Sequence, residues 1–129
     1  MVKPGTTGLQ RIINATRYSM HGFRAAYRNE AAFRQELLLV GVAVLAAAFL
    51  ADTLLQWLLL VGSGLLVLVV ELLNSAVEAI VDHASPEWNE LAGRAKDMGS
   101  AAVFTSLALM ALTWGVVVWE TQVLGLFAG

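Results

Sequence analysis

The chain has 129 residues, 58% of them hydrophobic and 14% charged, with a formal net charge of -2 and a mean hydropathy of +0.70. One domain is expected at that length, and so apolar a composition excludes an ordinary soluble protein and points to the membrane. Cysteine is absent, which removes disulfides, thiolate nucleophiles and cysteine-ligated metals from consideration.

Residues 1–30 read as a basic amphipathic helix. Leu9, Ile12, Ile13, Met20, Phe23 and Tyr27 fall on one helical stripe, and Arg11, Asn14, Arg17, Tyr18, His21, Arg24 and Arg28 fall on the opposite arc. Such a helix lies in the headgroup layer with its arginines near anionic lipid. Gly22 interrupts it and offers a point of bending. Lys3 and Pro4 precede no continuous apolar run, so no cleaved signal peptide is expected.

Helices are expected over 31–51, 54–82 and 86–119, each containing a membrane span. Their most apolar parts are Leu37 to Ala51, Leu54 to Val70 and Ala101 to Trp119. Each is close to the roughly 20 residues that cross about 30 Å of hydrocarbon. All eight lysines and arginines precede the first span or lie between the second and third, as Arg94 and Lys96 do. The positive-inside rule therefore puts the N-terminus and the second connection in the cytoplasm, with the turn at Asp52-Thr53 and the C-terminus outside. Trp57, Trp114 and Trp119 suit an aromatic belt near the outer ends.

The second connection, DHASPEWNELAGRAKDMGSA, begins with a helix-start signal. Ser85 is the expected N-cap, Pro86 the first helical residue and Glu87 an acidic residue in the first turn. Arg94 and Asp97 stand at the spacing of an exposed helical ion pair. Lys96 has no acidic residue at i±4. Gly93, Gly99 and Ser100 leave room for close backbone approach.

The stretch VVELLNSAVEAIVD carries the chemistry. Glu71, Glu78 and Asp82 point within about 40° of one another on a helix, flanked by Asn74 and Ser75. Glu71 ends the apolar run, and Glu78 lies roughly 10 Å further along the axis. Charges in or near hydrocarbon are costly, by roughly 2.5 to 3.5 kcal/mol on insertion scales, so they face a bundle interior and mark function. Glu71 is placed to act as a general base toward a group presented from the bilayer. Glu78, nearer water, suits a hard cation such as Mg²⁺, which takes one or two protein carboxylates and fills its other positions with water and phosphate. Glu30, where the interfacial helix meets the first span, adds a carboxylate at similar depth. Carboxylates, a lysine and arginines near a membrane surface fit phosphoryl transfer, in which positioning and charge neutralisation do most of the work. Neither GxxxxGK[ST] nor an HRD or DFG motif occurs.

The runs NEAAFRQE (Asn29 to Glu36), ELLNSAVEAIVD (Glu71 to Asp82) and ELAGRAKDMGSAAV (Glu90 to Val103), with TTGLQRIINATRYSMHGFRAAYRNE near the start, closely resemble prokaryotic diacylglycerol kinase. This is a small integral-membrane lipid kinase family that also includes undecaprenol kinases. The resemblance implies ATP- and Mg²⁺-dependent phosphorylation of diacylglycerol to phosphatidic acid. It implies Glu71 as general base with Asn74 beside it, and Glu30 and Glu78 as carboxylates holding the metal of ATP. Arg11, Tyr18, Glu87, Asn89, Lys96 and Asp97 match nucleotide-side positions, with Lys96 the phosphate contact and Asn89 standing where the family pattern has histidine. Arg11, Ser19, Arg34, Glu36 and Ser100 match positions lining the lipid and transfer site. Pro86 and the C-terminal ETQVLGLFAG depart from the pattern.

The expected fold is an all-α membrane protein: an N-terminal amphipathic interfacial helix and three transmembrane helices in a homotrimeric bundle. Physics argues for self-association, because three spans hardly enclose a polar stripe on all sides. Ala43, Ala47, Ala51, Gly62 and Gly64 would permit close helix contacts. The number three and the sharing of active sites between neighbours come from the resemblance. The expected location is the bacterial inner (cytoplasmic) membrane, multi-pass, with no nucleic-acid partner. An undecaprenol kinase is the alternative within the family. A small proton-coupled transporter would want its carboxylate near the midplane, and a membrane scaffold would leave Glu71, Glu78 and Lys96 without a shared purpose.

Overall fold

The computed structural model describes residues 7–129, so Lys3 and Pro4 and the start of the 1–30 segment lie outside the described residues. Four helices carry the fold: α1 (Gly8–Asn29), α2 (Ala31–Leu50), α3 (Leu54–Ala84) and α4 (Glu90–Val118). A π-helical stretch, Trp119–Leu124, and a final turn, α5 (Gly125–Phe127), continue α4. Among the described residues there is no strand. Three helices are long and apolar enough to cross a membrane: Ala31–Leu50, Leu54–Ala84 and Glu90–Phe127.

Each boundary has a local cause. Thr7 caps α1, its side chain accepting from the Gln10 amide, and Thr53 caps α3 by accepting from the Gln56 amide at 3.2 Å. α1 runs unbroken through Gly22, so the expected bend there is not formed. The chain turns instead at Glu30, whose φ of -116° and ψ of 107° end one helix and start the next.

The start of α4 corrects the sequence expectation. Ser85 is the C-cap of α3, its amide donating to Val81 O at 2.8 Å, and Asn89 is the N-cap of α4, its side chain accepting from Ala92 N at 2.9 Å. α3 thus extends two residues past Asp82, and Glu90, not Glu87, is the acidic residue of the first turn of α4. Pro86 explains why α3 stops, since the residue before a proline is held away from the helical region. Ser85 Oγ accepts from the Asn89 side chain and donates to Glu87 O, which closes the connection.

α3 is the central helix, with α2 and α4 packed against it. Ala43, Val67 and Met110 form one buried cluster and Ala47, Leu60 and Val117 another. Trp114 joins both, and its indole Nε1 donates to Leu60 O at 3.3 Å. Trp114 is therefore an interhelical packing residue, whereas Trp57 and Trp119 are exposed as a belt requires. A Cβ at Gly64 would lie 3.2 Å from Val40 and 3.6 Å from Met110, so Gly64 lets α2 and α4 converge on α3. Ala43, Ala47 and Gly64 are thus spent within the chain, while Gly62 faces open space. At the opposite end from the polar stripe, Gln56 Oε1 accepts from Asp52 N and its Nε2 donates to Glu120 at 3.1 Å, tying the α2–α3 turn to the π-helical stretch.

Most of the apolar surface of the bundle points outward. Phe49 is 89% exposed, and Leu38, Leu45, Phe104 and Leu112 are exposed as well. Such a surface is stable against hydrocarbon and not against water.

Candidate active site

The stripe on α3 grades from buried to exposed along about 16 Å of helix axis. Glu71 is only 3% exposed, Asn74 and Ser75 are buried, Glu78 is half-buried and Asp82 is exposed. A carboxylate at the end of the apolar run of α3 has to be matched by donors. Ser75 Oγ supplies one, donating to Glu71 Oε1 at 3.3 Å across one helical turn. In the same register, Asn74 Nδ2 donates to Glu78 Oε1 at 3.4 Å. The i, i+4 spacing sets both pairs and turns the two carboxylates toward one face.

Buried acceptors without a partner mark this face. Among the described residues, Asn74 Oδ1 and Glu36 Oε2 are the buried side-chain oxygens that receive no hydrogen bond. Glu36, on α2, is itself buried and lies within electrostatic reach of Glu71; Glu30 and Glu78 reach Glu71 in the same way. Glu30, Glu36 and Glu78, from the α1–α2 junction, α2 and α3, are thus all within electrostatic reach of Glu71. A buried group left unpaired is rare enough to need a reason, and an incoming hydroxyl or ammonium is such a reason.

A cleft of about 570 Å³ opens beside this region, between the second half of α1 and α3. Ser19, Gly22, Asn29 and Glu30 line it from α1 and the junction, and Leu72 and Ser75 from α3. Its wall is predominantly apolar, with Ser75 carrying the connection to Glu71.

At the outer end of the stripe, Lys96 of α4 forms an ion pair with Asp82 of α3, the only ion pair among the described residues. The partner that Lys96 lacks along its own helix is supplied by the neighbouring one. Arg94 and Asp97 do not pair. A further interhelical contact was legible only as a small residue: Gly99 of α4 lies against the Asn74 amide, and a Cβ there would be 3.1 Å from Asn74 Cγ.

Not all the sequence candidates gather here. Arg11 and Tyr18 are exposed on α1, while Ser19 reaches the cleft. Glu87, Asp97 and Ser100 are exposed at the mouth of the bundle. Asn89 spends its side chain on the helix cap and on Ser85. Arg34 folds back onto α1, its guanidinium donating to Tyr27 O at 2.7 Å.

Two carboxylates fit a hard cation. Glu30 makes no capping hydrogen bond, and Glu78 accepts one bond from Asn74, so both retain free lone pairs. No group of three or more metal-binding side chains gathers among the described residues. The donor set thus suits Mg²⁺ arriving with phosphate ligands of its own and not a closed protein cage.

Comparison with known proteins bears directly on this arrangement. The family model described as prokaryotic diacylglycerol kinase matches residues 17–118. The chain belongs to that family. It is 51% identical over 115 residues to the diacylglycerol kinase of Escherichia coli K12, covering 89% of this chain and 94% of the relative. It is 52% identical over 114 residues to the diacylglycerol kinase of Pseudomonas aeruginosa, covering 88% and 92%. The Haemophilus influenzae diacylglycerol kinase is 47% identical over 110 residues, covering 85% and 93%. The matched residues of this diacylglycerol kinase family member include every site residue on α2, α3 and α4 and stop where the π-helical stretch begins.

Proposed function

We propose that this protein phosphorylates diacylglycerol to phosphatidic acid with ATP and Mg²⁺, in the inner membrane of a bacterium. The observation that carries the reading is the buried Glu71, oriented by Ser75 and placed beside a largely apolar cleft, in a chain of the prokaryotic diacylglycerol kinase family.

The roles follow from position. The lipid enters the α1–α3 cleft and presents its hydroxyl to Glu71, which accepts the proton as the oxygen attacks the γ-phosphorus of ATP and ADP leaves. Asn74 holds Glu78 from the neighbouring turn, with its Oδ1 against Gly99 of α4. Glu30 and Glu78 would hold Mg²⁺, which neutralises phosphate charge when bound with ATP. Lys96 is the phosphate contact, within reach of the stripe through its pairing with Asp82. Arg11, Tyr18, Glu87, Asn89 and Asp97 belong to the nucleotide side, and Ser19, Glu36 and Ser100 to the lipid and transfer side.

The basic arc of α1, with Arg11, Arg17, Arg24 and Arg28, supports an interfacial helix on the cytoplasmic leaflet. Its apolar residues Leu9, Ile12, Phe23 and Tyr27 are left uncovered by the rest of the chain. The same arc supports a cytoplasmic side for α1, Lys96 and the site, where ATP is. One chain buries Glu71 but leaves Glu78 half-buried and Asp82 exposed, which supports a homotrimer sharing its sites.

Diacylglycerol is preferred over undecaprenol because the relatives at about half identity are named for diacylglycerol. The test is ATP-dependent phosphate transfer in mixed micelles, offering the two lipids separately, with Glu71→Gln as control. Transfer to diacylglycerol that vanishes in the control is the expected result. Transfer to undecaprenol alone would reassign the substrate, and full activity in the control would remove Glu71 from the chemistry.

A further inference from the structure

Arg34 is the one basic residue in α2, and its side chain points away from that helix. One guanidinium nitrogen, Nη1, donates to Tyr27 O at 2.7 Å and to Arg28 O at 3.4 Å. These are carbonyls of the last turn of α1, which have no acceptor role within their own helix once the chain breaks at Glu30. The neighbouring carbonyls are satisfied too: Glu30 N donates to Ala26 O at 2.9 Å and Asn29 Nδ2 to Ala25 O at 2.8 Å. A cation placed at a helix C-terminus also complements the negative end of the helix dipole. Arg34 thus caps one helix while belonging to the next.

This clamp matters because little else fixes α1. Ala26 is its only buried residue among those described, and α1 packs chiefly on α2 near their junction. The angle between α1 and the bundle is therefore set at the elbow. That angle determines the width of the α1–α3 cleft and where Glu30 stands relative to Glu71 and Glu78, because Asn29 and Glu30 line the cleft opposite Ser75.

The geometry points to Arg34 as a positioning residue that holds the α1–α2 elbow, and through it Glu30 and the cleft, in the arrangement used for phosphoryl transfer. It acts through the Tyr27 and Arg28 carbonyls. The kinetic half of this inference rests on the kinase reading given above; the structural half does not.

The experiment reads both halves. The chain contains no cysteine, so Thr16→Cys and Leu38→Cys, on exposed positions of α1 and α2, accept paired spin labels without a background. Labelled chains diluted into unlabelled ones report the elbow distance within one chain. Arg34→Ala is expected to broaden that distance distribution, to lower kcat about tenfold to a hundredfold, as small misplacements of reacting groups do, and to raise the Mg²⁺ concentration needed for half-maximal rate. Arg34→Lys keeps a donor and a charge and is expected to fall between parent and alanine in all three readouts. Should the alanine variant fail to fold, Arg34→Gln, which keeps a donor without the charge, takes its place.

An unchanged distance distribution in Arg34→Ala, or in Arg34→Gln as its substitute, overturns the inference whatever happens to activity. So does a broadened distribution with unaltered kcat and Mg²⁺ dependence. A loss confined to the KM for diacylglycerol, with the elbow intact, would make Arg34 a lipid contact instead. If the parent chain transfers no phosphate to diacylglycerol, the kinase reading fails, and the label distances still decide whether Arg34 holds the elbow.

Discussion

Asn74 of α3 rests against the backbone of Gly99 of α4, with no space between them for a methyl group. The contact locks the helix carrying the carboxylates to the helix carrying Lys96. Gly99→Ala must push either the helices apart or the amide aside, and overpacking of this kind costs about 1–3 kcal/mol. We expect a lowered Tm in detergent, and a fall in kcat because the Asn74–Glu78 hydrogen bond goes with the amide. The double variant Gly99→Ala, Asn74→Ala should recover most of the Tm but none of the rate. Additive losses in Tm would show that the two residues do not share this contact.

Ser75 is the donor to Glu71, so it separates a positioning effect from a chemical one. Glu71→Gln keeps the shape but no longer accepts a proton, and a lost general base lowers the rate by about 10² to 10⁴. Ser75→Ala leaves the carboxylate in place and removes one hydrogen bond, typically about 0.5–1.5 kcal/mol. Its kcat should fall by about twofold to tenfold, the size of one such bond converted at 1.4 kcal/mol per decade. Single-turnover rates on both variants check this. Equal losses would mean that Ser75 takes part in the chemistry itself.

Lys96 and Asp82 are predicted to differ in function although they form one pair. The pair is largely exposed, so neither Lys96→Met nor Asp82→Asn should change the Tm appreciably. Lys96→Met removes the phosphate contact and should raise the KM for ATP at least tenfold. Asp82→Asn only releases the lysine and should raise that KM a few-fold at most, with the difference shrinking at high salt. Initial rates over a range of ATP concentrations decide the matter; parallel KM changes would assign both residues to the same role.

The sequence and the structure agree best where a single helix carries the information. Three spans needed only length and apolarity, and the side-chain period of 3.6 was enough to align Glu71, Asn74 and Glu78. Relations between helices were not legible, because a period gives the face of one helix and not its register against another. Asp82 as the partner of Lys96 and Asn74 as the neighbour of Gly99 are both of this kind. The start of α4 is ambiguous in the sequence for a different reason. Ser85-Pro86 and Asn89-Glu90 are both good start signals, and α3, by continuing to Ala84, took the first as its own end. The position of Arg34 was visible, but not that its side chain would serve the preceding helix.

One chain leaves the outer part of the polar stripe uncovered. Glu36 Oε2 and Asn74 Oδ1 are buried without partners, and the three spanning helices form a bundle in which α3 alone is flanked on both sides. Glu71 is covered within one chain, whereas Glu78 is half-buried and Asp82 exposed, so the outer part of the stripe is where a second copy would contribute. If the site is completed between chains, the base and the phosphate contact need not come from the same one. At an ATP concentration well below the raised KM, chains carrying Glu71→Gln and chains carrying Lys96→Ala, each with little activity alone, should then regain activity when mixed, unfolded and reassembled. In a trimer with one site per interface, recovery depends on the mixing ratio and peaks near equal amounts, because only mixed assemblies contain an interface with both intact residues. Activity measured across the ratio series is the check. No recovery at any ratio would mean that Glu71 and Lys96 act within one chain, and that a neighbour covers the stripe without contributing to it.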